Sequence, residues 1–148
     1  MKQELNKNNI LVSEIKTLIE QSKQQVAVAV NATMSMLYWN IGNRINREVL
    51  QEQRAEYGKQ IVATLSRQLT EEFGSGWSEK QLRHCLRFAA TIPEIQIVSA
   101  LRRQLSWTHI KTIIYLENDL QRMFYIEMCK IEKWSVRTLH DKINPLLY

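Results

Sequence analysis

The chain has 148 residues, 20 Lys and Arg against 15 Asp and Glu, four Gly, two Pro and two Cys. Six Gly and Pro cannot punctuate the many short strands of a sandwich or barrel, so an all-β fold is excluded. An apolar share of 45% excludes a disordered chain, and two cysteines make no disulfide framework, so reduced thiols and a cytoplasmic setting are expected.

The first long pattern runs from Asn9 to about Glu52. Leu11, Ile15, Leu18, Val26, Ala29, Val30, Leu37, Ile41, Ile45 and Val49 recur every three to four residues. This predicts one long helix, or two broken near Asn31 or Gly42. Within it, Gln24–Asn43 carries no charge and is long enough to span a bilayer. Its Gln, Asn, Ser and Thr residues oppose insertion, so a buried core helix is predicted and no membrane partner. Met1–Asn9 is polar, and no signal peptide is expected.

A second helix is predicted over Gly58–Phe73, with Ile61, Val62, Leu65, Leu69 and Phe73 on one side, and Gly74-Ser75-Gly76 forms a tight turn. Three Trp-Ser/Thr segments follow, at Trp77-Ser78, Trp107-Thr108 and Trp134-Ser135. Ser78 and Ser135 are predicted N-caps, each with Trp before it and Leu82 or Leu139 at N4 as a hydrophobic staple. Ser78 and Gln81 fit a capping box. Ser106 caps the middle start, stapled by Leu105 and Ile110. These signals predict helices at 78–91, 107–130 and 135–145, with a short one at 95–104 and all three Trp largely buried. The chain reads as one all-α domain of six or seven helices.

Nothing in the sequence offers a catalytic or cofactor constellation. His84, His109 and His140 are scattered, and no HxxxH, CxxC, HExxH, Walker or GxSxG spacing occurs. Neither a cofactor nor a metal is expected. Aromatics such as Tyr38, Trp39, Phe88, Trp107, Phe124 and Tyr125 sit at helical spacing and read as core.

Charge supplies the positive signal. Residues 75–148 carry 11 basic and 7 acidic side chains, and Trp77–Lys111 alone has a net charge of +4. An excess confined to one stretch suits a polyanion. The 59–91 region has helix-turn-helix layout, and Lys80, Arg83, His84 and Arg87 fall at i, i+3, i+4 and i+7 on its second helix. Gln81 stands beside them, able to reach a base edge. A second helix pair competes: Arg102 and Arg103 end one helix, while Thr108, His109, Lys111 and Thr112 begin the next. The sequence does not choose between them.

Tyr38-Trp39-Asn40-Ile41-Gly42, Tyr57-Gly58 leading to Leu65-Ser66-Arg67-Gln68-Leu69, Trp77-Ser78, Leu105-Ser106-Trp107-Thr108-His109, Phe124-Tyr125 and Trp134-Ser135 occur in one order. With these blocks the chain resembles the N-terminal domain of the YhcG-like proteins, a bacterial family in which a helical domain precedes a PD-(D/E)XK nuclease domain. The resemblance runs from about Ile10 to Tyr148. Tyr57 stands where the family usually has Trp, Trp77 where it has Phe, and Ser106 where it often has Pro. It implies a DNA-binding, winged-helix-like module with a nuclease domain in cis. No six-residue alternating run offers a place for a wing. Cleavage of that type needs an Asp followed by a carboxylate-x-Lys pair, so that two acids hold Mg²⁺ and the Lys assists the attacking water. The triplet of that form is Glu14-Ile15-Lys16, with no aspartate before it. A non-catalytic DNA-binding domain, the nuclease half absent from these residues, is therefore expected. The alternative is a helical dimerisation or docking module, self-associating or binding a nuclease or restriction-type partner. An over-long amphipathic helix often needs a second chain to cover its stripe.

Overall fold

The computed structural model describes residues 2–52 and 55–144. Among them are seven helices and no strand: α1 (Lys2–Glu52), α2 (Ala55–Phe73), α3 (Glu79–Thr91), α4 (Ile95–Leu101), α5 (Trp107–Ile113), α6 (Asp119–Glu132) and α7 (Val136–Ile143). The all-α expectation holds. Residue 145, the end of the last predicted helix, lies outside the described residues.

The serine signals act as read. Ser78, Ser106 and Ser135 accept hydrogen bonds from the backbone N–H groups of Gln81, His109 and Thr138 at 3.1, 3.2 and 3.1 Å. The three N4 residues, Leu82, Ile110 and Leu139, are buried. Each cap satisfies an orphan donor while its staple anchors the helix start in the core. The full capping box falls at Ser106, whose N–H is accepted by His109 Nδ1. The three Trp at these starts are largely, though not fully, buried. Trp107 and Trp77 both pack against the ring of Tyr38, at 4.6 and 6.2 Å between centroids, on the rim of the core.

The predicted 107–130 helix is two helices. α5 stops at Ile113, and Asn118 starts α6 by accepting from the Gln121 N–H at 3.1 Å. Breaking there lets Ile110, Ile113 and Ile114 enter the same core as Tyr125 and Cys129. One straight helix would carry the polar run Glu117–Asp119 between them.

The main core gathers Trp39 of α1, Phe88 and Ala89 of α3, and the buried residues of α4–α7. Its spine is the C-terminal half of α1, a single helix without the break at Asn31 or Gly42. Both positions are instead points of contact. Asn31 Nδ2 donates to the Leu105 carbonyl at 3.1 Å, and its Oδ1 accepts from the Trp107 N–H at 3.3 Å, tying the α4–α5 turn to α1. Four turns on, Asn46 Nδ2 donates to the Leu86 carbonyl at 3.0 Å. Between them Gly42 lies against α3 so closely that a Cβ there would sit 1.9 Å from the Cys85 carbonyl oxygen. Trp39 Nε1 closes the contact by donating to the Ile92 carbonyl at 2.7 Å.

The N-terminal half of α1 departs from expectation. Residues 10–30 are exposed throughout, so the uncharged Gln24–Asn43 stretch is not a buried core helix along its length. The burial begins at Asn31 and uses Ala32, Ser35, Trp39, Gly42 and Ile45. That face is on the opposite side of the helix from the Leu11–Val26 stripe, about 180° away at 100° per residue. The period was right and the buried face was not.

α2 flanks α1 and α3 and ends at Gly74 and Gly76, both at positive φ (89° and 108°), a geometry that favours glycine. Ser66 Oγ donates to the Trp77 carbonyl at 2.8 Å and fastens the turn to α2.

Candidate functional site

α3 and α5 pack together, and the two basic sets that the sequence offers as rivals meet there in part. Lys80, Arg83 and His84 come from the outer side of α3, where Leu82, Cys85, Phe88 and Ala89 face inward. Lys111 comes from α5, its ammonium 6.0 Å from the Trp107 ring centre. His84 sits among these cations. Its Nδ1 lies 2.6 Å from the Tyr115 hydroxyl. Partial burial, then the charges of Lys111, Lys80 and Arg83, hold its imidazole below the ordinary value. Burial is the larger cause, and the three cations add a local positive potential. Glu79 offsets part of it by pairing with Arg83 at 3.8 Å, but both side chains are exposed and such a pair contributes little.

Arg87 plays a different part from the one its spacing suggests. It is half-buried, its Nε donates to the Ile114 carbonyl at 2.9 Å, and its guanidinium lies over the Tyr115 ring. It fastens the end of α5 to α3 and is not free on the stripe. His109 is likewise committed. Its Nδ1 accepts from Ser106 and its Nε2 donates to the Trp134 carbonyl at 2.8 Å, joining α5 to the α6–α7 turn. Thr108 is exposed at the start of α5, and its carbonyl accepts from Thr112 Oγ1. Arg102 and Arg103 occupy the α4–α5 turn held by Asn31; Arg103 is exposed, whereas Arg102 is half-buried. Gln81 is half-buried, unlike the exposed Lys80 and Arg83 on the outer face. Sequence reasoning missed Tyr115, the bridge between His84 and Arg87. Its position four residues after Lys111 on a helical pattern is the signal that would have placed it on that face.

The remaining nucleophiles are inert. Burial pushes the Cys85 thiol up to about 12 and that of Cys129 to about 11, so both are protonated at neutral pH and supply no thiolate. Among the described residues no three His, Cys, Asp or Glu side chains converge to hold a metal ion, and Glu14 and Lys16 stand on the exposed half of α1. No helix among those residues is long and apolar enough to cross a membrane. A cleft of about 680 Å³ between α3 and α6 carries Arg122, but that side chain is bound to Asp119 and to the Leu116 carbonyl.

The chain is 25% identical over 140 residues to the Escherichia coli (strain K12) protein described as "Putative nuclease YhcG". That match covers 84% of this chain and 37% of the relative, so the chain spans little more than a third of that protein's length. No solved structure matches. The profile of the DUF1016 N-terminal domain fits residues 14–148, nearly the whole of the fold described above, and the chain belongs to that family.

Proposed function

We propose that this domain binds DNA through the phosphate backbone, using Lys80, Arg83 and Lys111 with His84 at their centre, and that it positions a nuclease domain carried in cis without itself cleaving. The observation that carries this reading is the packing of α5 against α3, which brings Lys111 into the field of the α3 residues Lys80, Arg83 and His84. Phosphates recognise clustered Lys and Arg without needing a deep pocket. The relative's description as a nuclease supports a nucleic-acid target. Two unpaired, buried thiols suit the cytoplasm, where DNA is found. Thr108, Arg102 and Arg103, on the start of α5 and the turn before it, form the secondary candidate surface.

The test is a fluorescence titration of a DNA duplex at several salt concentrations and two pH values. Non-specific affinity is expected on the order of 10⁻⁴ to 10⁻⁶ M at physiological salt. Replacing Lys80, Arg83 and Lys111 with Ala should flatten the slope of log K against log salt by about 2.7, since each phosphate contact contributes about 0.9. A phosphate beside His84 favours its charged form, so binding should strengthen as pH falls from neutrality toward 5.5, and His84→Ala should abolish that trend. Arg87 is left intact because it holds Ile114. If the triple variant binds as wild type while Arg102→Ala/Arg103→Ala does not, the α4–α5 turn is the contact surface. No binding at low salt overturns the DNA reading.

A further inference from the structure

The exposed half of α1 presents an apolar stripe that no other described residue covers. Leu11, Ile15, Leu18, Ile19 and Val26 share one side and are 47–65% exposed. Asn31 is where the domain begins, so residues 10–30 extend about 30 Å from it at 1.5 Å per residue. An isolated helix of this length is marginal in water unless its apolar side is buried. Following the same side along the helix leads through Thr33 to Leu37 and Ile41. There it opens into an apolar groove of about 650 Å³ between α1 and α2, walled by Leu65, Leu69, Phe73 and Trp77. Phe73, at its mouth, is 65% exposed.

We propose that this arm of one copy lies in the α1–α2 groove of a second copy, and reciprocally, so that two chains form an antiparallel pair through α1. A twofold axis near Val26 sets Ile15 opposite Leu37, Ile19 opposite Thr33 and Leu11 opposite Ile41. Both halves of the contact belong to this one sequence, which makes the surface self-complementary, as a twofold interface requires.

Charge supports this occupant. The contact line itself, Leu11, Ile15, Leu18, Ile19, Val26 and Thr33, carries no charged residue, so pairing it desolvates no ion along that line. Lys16 and Lys23 border the stripe on the same edge as Ile41 and Ile45, the edge on which α2 sits. An antiparallel twofold brings like edges together, and with the axis near Val26 Lys16 falls at the level of Met36, beside the Leu37 and Phe73 end of the groove where α2 finishes. That end carries Glu71 and Glu72 and has no basic residue in its last turn. Cations arriving there match both the carboxylates and the helix dipole. A stable interface buries on the order of 1,600 Å² in total, and a twofold contact counts both the stripe and the groove of each chain toward it.

Sedimentation equilibrium of the full chain over micromolar to millimolar concentration tests this. The expected species has twice the 17.5 kDa of the chain. Ile15→Glu/Ile19→Glu on the arm and Phe73→Glu in the groove should each raise the dimer Kd at least tenfold. All three residues are exposed, so circular dichroism should show the folded core retained. A chain carrying Ile15→Cys mixed with one carrying Leu37→Cys should form the mixed disulfide, Cys85 and Cys129 being buried. A monomer throughout the range, a dimer that survives both variants, or Ile15→Cys chains that link to one another instead would each overturn the proposal. None of these outcomes bears on DNA binding, which rests on α3 and α5.

Discussion

Gly42→Ala is expected to destabilise the fold by about 3 kcal/mol or more, and to lower its melting temperature by roughly 6–12 °C. In an ordinary helix the same change stabilises by about 1 kcal/mol, because glycine has the poorer propensity. The sign reverses here because the new Cβ would lie 1.9 Å from the Cys85 carbonyl oxygen and 2.4 Å from its carbon. Both are backbone atoms of α3, which cannot rotate aside as a side chain does. The helices must separate, and the Trp39 and Asn46 hydrogen bonds across the same interface lengthen with them. Gly58→Ala in α2 is the control. Its Cβ meets a Val49 methyl at 3.4 Å, an ordinary contact, so it should stabilise by about 0.5–1 kcal/mol. Urea unfolding of the two variants, followed by circular dichroism, reads both signs; a stabilised Gly42→Ala would refute the close crossing.

Trp39 should show the second large effect. It is 5% exposed in the main core, and Trp39→Ala is expected to cost about 3–5 kcal/mol through the lost burial and the cavity left. Trp39→Phe separates the two contributions. It keeps much of the ring but strands the carbonyl of Ile92, the residue that ends α3 and is itself buried, for a cost of about 1–3 kcal/mol. Urea midpoints with an unchanged slope would establish both losses as stability effects. A Phe variant as stable as wild type would mean that the indole N–H is dispensable.

The parts of the fold that were legible in sequence are those that local chemistry decides. A serine followed three residues later by a free N–H, with apolar residues on either side, marks a helix start regardless of what surrounds it, and Ser78, Ser106 and Ser135 all act so. The break between α5 and α6 was harder to see because Asn118 caps as well as serine does but stands inside a continuous helical period. The buried face of α1 was not legible for a different reason. Periodicity ranks apolar side chains, whereas this helix packs through Ala32, Ser35 and Gly42, residues chosen for small size so that another backbone can approach. The basic stripe was legible as a charge pattern, but its membership was not. Arg83 and Arg87 are equivalent by spacing, and tertiary contact alone separates the exposed one from the one that clamps Ile114.

The length of α1 turns the Gly42 crossing into the fulcrum of a lever. From Gly42 back to Lys2 the helix extends about 60 Å at 1.5 Å per residue. Turning α1 about that point by only about 5° sweeps its tip through roughly 5 Å, a full helical turn's height, while the atoms at the pivot hardly move. A substitution of one methyl at the pivot therefore strains the aim of a surface about eleven turns away, which the close crossing sets together with the Asn31 bonds to the α4–α5 turn.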